Sequence, residues 1–283
     1  MTSFFRTTLA VLAAAGMAAV AVPSSAAIVD VTVTIQNLSA ADSLAFSPTN
    51  VAFHDGSFDV FDINAAAGAE IISIAEGGEG SAWRAAADAA GAEFGVITPP
   101  LGPPPVIPAG NVGTGPFASN ASATFRIDTD VDGRFFTFAN MVIPSNDLFL
   151  GNDNPLAFEL LDSNGNLLLT DITQTAAQIW DANSEVANPL NGAFVADDGN
   201  GNPGVNGKRV AENGTIEFAF DELTAFNGVT TPAGYVVDTT GLAAGDPIFS
   251  LSFTATPVAA VPEPTSLLGL AAIGTVGWIR RRK

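Results

Sequence analysis

The chain has 283 residues, with ten Lys and Arg against 29 Asp and Glu, one His, one Tyr and no Cys, for a formal net charge of −19. The absence of Cys excludes disulfide scaffolds and thiolate chemistry, and the missing Lys/Arg surface argues against nucleic acid, whose phosphates need such a surface to be neutralised. A hydrophobic content of 47% argues against disorder. Because so few His and Tyr are present, general acid or base work would fall to carboxylates, so an enzyme is disfavoured.

The first segment carries Arg6, an apolar run from Leu9 to Val22, and then Pro23, Ser24, Ser25 and Ala26. A basic start, a short apolar stretch and small residues before the cut predict a secretory signal peptide over residues 1–26, cleaved after Ala26, with Ala27 almost as good a site. The run is too short to span a membrane and ends in Pro.

From Ile28 the residues Ile-Val-Asp-Val-Thr-Val-Thr-Ile alternate with period two and are rich in β-branched side chains, which predicts a half-buried strand. Similar runs follow at Asn50 to Phe53, Ala123 to Ile127, Arg134 to Ile143, Leu156 to Leu161, Leu167 to Thr170, Thr215 to Phe220 and Ile248 to Thr256. Asn164-Gly165 predicts a tight turn, since Asn-Gly supplies positive φ angles. The expected fold is mainly β, an antiparallel β-sandwich of about eight strands occupying residues 27–258. One stretch departs from it: Ala65 to Gly91 is Ala-rich and predicts a short helical insertion broken at Gly77-Gly78. Thr98 to Gly115 holds six prolines and several glycines and reads as a loop.

Three other constellations have ordinary explanations. Asp128 to Gly133 spells the start of an EF-hand loop, but its twelfth position is Ala139 and it lies between two strand runs, which predicts a β-hairpin with an Asp-Gly turn. Asp197 to Gly204 is an acidic loop by composition. His54, Asp55 and Ser57 contain the letters of a hydrolytic triad, yet residues so close on an extended chain do not line up nucleophile, base and orienter.

The chain closes on Pro262-Glu263-Pro264, an apolar stretch from Ser266 to Ile279, and Arg280-Arg281-Arg282-Lys283. This is a Pro-rigidified break, a marginal hydrophobic segment and a basic stop that holds the tail in the cytoplasm. Residues 259–283 resemble the PEP-CTERM sorting signal of Gram-negative bacteria that make exopolysaccharide. The resemblance implies an exosortase partner that recognises Pro262, Glu263 and Pro264, a transient anchor in the inner membrane, and release to the cell surface or extracellular matrix. Without both ends the chain keeps five basic and 28 acidic residues, a formal charge of −23. Such a surface attracts divalent cations, calcium above all, and repels anionic lipid or nucleic acid.

Two segments resemble the spondin domain of animal matrix proteins and bacterial PEP-CTERM proteins. One is Val51-Ala52-Phe53-His54-Asp55-Gly56-Ser57-Phe58-Asp59-Val60-Phe61-Asp62; the other is Met141 to Asp147 followed by Trp180-Asp181-Ala182-Asn183-Ser184-Glu185. The family fold is a β-sandwich, and its Pro-Ser-Pro-Asp and Trp-Asp-Ala-Gly-Thr-Asp segments supply carboxylates to one calcium ion. Carried over position by position, the resemblance implies that Asp147, Asp181 and Glu185 hold Ca2+. This chain has Asn146 where the family has Pro, Asn183 where it has Gly, and the longer Glu185 where it has Asp. It also lacks the cysteines of the animal domains. From the residues alone, Asp147 falls just past an apolar strand and Asp181 just past the strand-like Ala177 to Trp180, and hard oxygen ligands suit calcium better than zinc.

The expected function is therefore an exported adhesion or matrix module that binds a polysaccharide or matrix protein around a structural calcium. The alternative is a secreted glycan hydrolase, which needs one carboxyl of raised pKa facing another across about 5 to 10 Å.

Overall fold

In the computed structural model, which describes residues 27–98, 120–189, 210–230 and 235–259, strand β1 (Ile28–Asn37) buries Val29, Val31, Val33 and Ile35 and turns the alternate residues outward. It lies between β5 (Asn120–Asp128) and β11 (Pro247–Pro257), and β11 also pairs with β8 (Asp171–Thr175). These four antiparallel strands form one sheet in the order β5-β1-β11-β8. Period-two alternation is what a sheet with one buried and one solvated face requires.

The second sheet is built from β3 (Thr49–His54), β4 (Glu93–Ile97), β6 (Phe135–Ile143), β7 (Leu148–Gly151), β9 (Trp180–Asp181) and β10 (Glu217–Phe218) in the order β10-β9-β7-β6-β3-β4, with β2 (Ala45–Phe46) pairing β6. Here β3 and β7 are buried at every residue, and β6 at all but its first. The cause is a second layer. Helices α1 (Ala69–Gly77) and α2 (Ser81–Ala89) lay Ile71, Ile74, Trp83 and Ala87 over this sheet's outer face, against Ala52, Ala139 and Phe149. Small Ala side chains on both elements let helix and sheet approach closely. Gly78, at φ 66°, ends α1 by donating its N–H to the Ile74 carbonyl at 2.7 Å, which places the break where Gly77-Gly78 predicts it.

Between the sheets, aromatic rings fill the sandwich. Phe136 sits edge-on to Phe53 and Phe253, at centroid separations of 5.3 and 5.0 Å, and Phe46 lies 5.0 Å from Phe249. The mainly β antiparallel sandwich with a helical insertion is thus the fold observed. Its strands differ in detail from the expected set. Leu156 to Leu161 and Leu167 to Thr170 make only isolated bridges, Phe135 with Glu159 and Leu161 with Leu167. Thr215 to Phe220 contains the two-residue β10 and runs into a 3-10 helix at Phe220–Phe226.

The Asp162 to Asn166 turn is as expected: the Asp162 carboxylate accepts the N–H groups of Asn164 and Asn166 at 2.8 and 2.9 Å, and Gly165 has φ 77°. Asp128 to Gly133 is not a hairpin. It is an arch between sheets, because β5 pairs with β1 whereas β6 pairs with β3. Its carboxylates serve the arch itself, with Asp132 accepting the Asp128 N–H at 2.7 Å and Asp128 accepting that of Asp130 at 3.1 Å. Gly133, at φ 90°, passes so close to the His54 backbone that a Cβ has no room.

Among the described residues no helix is long and apolar enough to cross a membrane. The signal-peptide residues up to Ala26, the Pro-rich and Asp197 loops, the sorting residues Pro262, Glu263 and Pro264 and the anchor all lie outside the described residues. Ala27 is described, and its carbonyl accepts the Thr129 N–H at 3.1 Å.

The ring cluster makes a direct prediction. Phe136→Ala removes a fully buried ring touching both sheets and lowers the unfolding free energy by about 3–5 kcal/mol in urea titrations. A loss below about 1 kcal/mol is inconsistent with this packing.

Candidate functional site

The loop between β6 and β7 brings Asp147 inside the protein. Its form follows from local hydrogen bonds: Ser145 Oγ donates to the Val142 carbonyl at 2.6 Å and accepts the Leu148 N–H at 3.0 Å. The Ile143–Pro144 peptide bond is cis. Asn146 reaches across to a second loop, donating from Nδ2 to the Val186 carbonyl at 2.8 Å. Asn146, where the resembled family has Pro, is therefore a clamp between two loops.

The second loop follows β9, which pairs with β7 through Leu148 and Asp181. Asp181 Oδ1 accepts the Asn183 N–H at 2.7 Å. Asn183 has φ 49°, a left-handed conformation that Gly adopts freely and Asn tolerates best among the other residues. That explains how Asn stands where the family pattern has Gly. The Asn183 amide also donates to the Thr215 carbonyl at 2.8 Å.

From there the chain bends back over Asp147. The Asp147 Oδ2 atom accepts the backbone N–H of Ser184 at 3.0 Å and of Glu185 at 2.9 Å. The Ala182 N–H bonds the Asp147 carbonyl at 3.1 Å. Asp147, Asp181 and Glu185 are all buried, at 1, 2 and 5% exposure.

Electrostatics at this joint are unusual. Burial first, and then the charge of Asp181, push the Asp147 carboxyl up to about 7, against the opposing pull of the Glu185 and Ser184 amides. Asp181 is also raised to about 7, again by burial first, with the charge of Glu222 adding to it and the Asn183 amide opposing. Glu222, on the 3-10 helix, is raised by burial and by the charge of Asp147, with Asp181 beside it opposing the rise. Asp181 in turn lies beside Asp147, whose neighbour Leu148 pairs with it across β7 and β9. Carboxyls this close and this buried do not all ionise together, so the row Asp147, Asp181, Glu222 keeps protons when no cation neutralises it.

The structure brings Asp147 and Asp181 together and places the Glu185 backbone on Asp147. Among the described residues no three His, Asp or Glu side chains form a cluster arranged to hold a metal ion. The donors at hand suit a hard cation in kind, being carboxylate oxygens. Sequence reasoning missed Glu222, because it lies just past the strand run Thr215 to Phe220 and in no recognised motif.

His54 is a packed core residue. Its Nε2 lies 2.9 Å from Thr137 Oγ1, its Nδ1 accepts the Gly56 N–H at 3.1 Å, and burial lowers it to about 4. Asp55 instead accepts the Ser57 N–H at 2.9 Å.

With this geometry in place, one comparison bears on the chain: residues 260–283 match the PEP-CTERM protein-sorting motif. That motif marks an exported protein recognised by an exosortase and held transiently at the membrane. No curated protein matches the chain.

The paired carboxyls set a pH dependence of stability. In chelator the folded chain holds protons on Asp147 and Asp181 up to about pH 7, whereas an unfolded Asp releases its proton near about 3.9. The stabilisation is full below that lower value and is lost as pH rises through the folded values. His54 acts oppositely, losing stability as pH falls below about 6.5. Asp147→Asn, which removes the charge at nearly constant volume, is therefore expected to raise the Tm over the unmodified chain at about pH 8 and not at about pH 4. An equal effect at both pH values, by thermal unfolding in chelator, contradicts the charged pair.

Proposed function

We propose that this exported protein is a spondin-like matrix-binding module in which calcium, held by Asp147, Asp181 and Glu185, fixes two loops at one rim of the sandwich and presents them to a polysaccharide or matrix protein. The single observation that carries this reading is the buried joint itself. Asp147 and Asp181 are neighbouring buried carboxyls, each bonded to the backbone of the loop after β9. A divalent cation supplies the counter-charge that otherwise has to come from protons. The Asn183 backbone and the Asn146 clamp support the reading, since each accommodates a departure from the family pattern without opening the site.

Glu222 adds negative potential beside Asp181 and strengthens the pull on a cation. Exosortase sorting supports delivery to the cell surface, where calcium is abundant. The hydrolase alternative asks for two carboxyls open to a sugar across a cleft. Asp147 and Asp181 are instead buried and bonded to backbone N–H groups, which favours binding over hydrolysis.

Calorimetric titration of calcium into the full chain, purified in detergent, tests the proposal. One saturable site with Kd of about 10⁻⁴ to 10⁻³ M, lost in both Asp147→Asn and Asp181→Asn, is the expected result. Absence of binding, or binding unchanged in both variants, contradicts it.

A further inference from the structure

The four-stranded sheet has an outer face that nothing in the described residues covers, and its composition is narrow. The register aligns Thr124, Thr32 and Thr254 in one row across β5, β1 and β11, and Ser122, Thr34 and Ser252 in the next. All six point away from the buried Val31, Val33, Phe125, Leu251 and Phe253. The following row continues with Gln36 and Ser250. Neighbouring hydroxyls therefore repeat at about 4.8 Å across strands and about 6.8 Å along them. Thr32 Oγ1 and Thr124 Oγ1 are already hydrogen-bonded at 2.8 Å.

Charge is confined to the margins of this block. Arg126 meets Asp30 through two bonds, at 2.9 and 3.2 Å, so that pair cancels. Asp171 stands on the edge strand β8. In a chain of formal charge −19, a face whose centre carries hydroxyls and no net charge is distinctive.

We propose that this face docks a neutral, polyhydroxylated polymer, a glycan chain lying flat across β5, β1 and β11. The proposal starts from the matrix-binding reading and assigns it a face and a ligand chemistry, apart from the calcium rim. Four physical arguments select that occupant. Ser and Thr hydroxyls both donate and accept, as sugar hydroxyls do, so either hydrogen-bond direction is served. β-branched Thr side chains are stiff at χ1, so little side-chain freedom is lost on docking. The acidic remainder of the protein repels anionic polymers, whereas a neutral chain meets no such barrier. A protein partner or a second copy calls for aromatic, Met or other apolar anchors at the centre of the contact, and the block has none.

The probe is microcrystalline cellulose, an insoluble neutral glucan, in a sedimentation assay with the full chain in detergent. Retention is expected in chelator and in molar salt, since neither charge nor calcium carries it. The variant Thr32→Val, Thr34→Val, Thr254→Val keeps shape and β-propensity while removing three hydroxyls, and is expected to reduce the bound fraction at least about tenfold at an unchanged Tm. The triple variant is expected to take up calcium in calorimetry like the unmodified chain, so a failure of the calcium site and a failure of this face give different patterns. Lack of retention, equal retention of the triple variant, or retention that disappears with chelator overturns the proposal. A dimer in sedimentation velocity that the triple variant dissociates overturns it in favour of a second copy as occupant.

Discussion

The Asp147 carboxylate is the constraint on which this end of the molecule depends. It enters the interior on the β6 to β7 loop and accepts two backbone N–H groups from the loop after β9, at 3.0 and 2.9 Å. Those bonds satisfy amides that would otherwise be buried without partners, a cost of about 1–3 kcal/mol for each group. They also fix where Asp181 sits, because β9 is only two residues long and is held by β7 on one side and β10 on the other. The electrostatic consequence follows from the packing: two carboxyls brought together away from water cannot both ionise without a proton or a cation between them.

The two sheets are unequal for a reason that also divides their roles. The helical layer covers the outer face of the larger sheet, so β3, β6 and β7 read as nearly continuous buried runs and that sheet acts as scaffold. The smaller sheet has no second layer among the described residues, and its strands keep the alternation of a one-sided sheet. Its solvent side is therefore open to interaction. The two proposed binding regions thus differ in kind: a rim where charge is buried, and a flat face whose centre carries hydroxyls and no net charge.

Long elements with a clear period were visible in the residues alone. The alternation from Ile28 and from Ile248, the apolar run up to Ile143 and the Gly77-Gly78 break all correspond to observed elements. Short ones were not, since β2, β9 and β10 have two residues each and are strands only through the partners that tertiary packing supplies. Leu148–Gly151 was hidden inside what reads as the loop after Pro144, and Asp128 to Gly133 has hairpin chemistry but joins two different sheets. No local signal separates a hairpin from an arch. Of the site, Asp147 and Asp181 were singled out by a resemblance to a motif of another domain, and the structure places them beside each other. Glu222 joins them from a 3-10 helix far along the chain, a proximity that only the folded arrangement creates.

Proton release on calcium uptake tests this account most directly. Calorimetry in buffers of different ionisation enthalpy counts the protons displaced per ion bound. At about pH 6.5, binding is predicted to expel protons held by the Asp147 and Asp181 carboxyls, with the release fading by about pH 8.5. Calcium binding without proton exchange at the lower pH contradicts the claim that the buried pair is both proton-sharing and the seat of the ion.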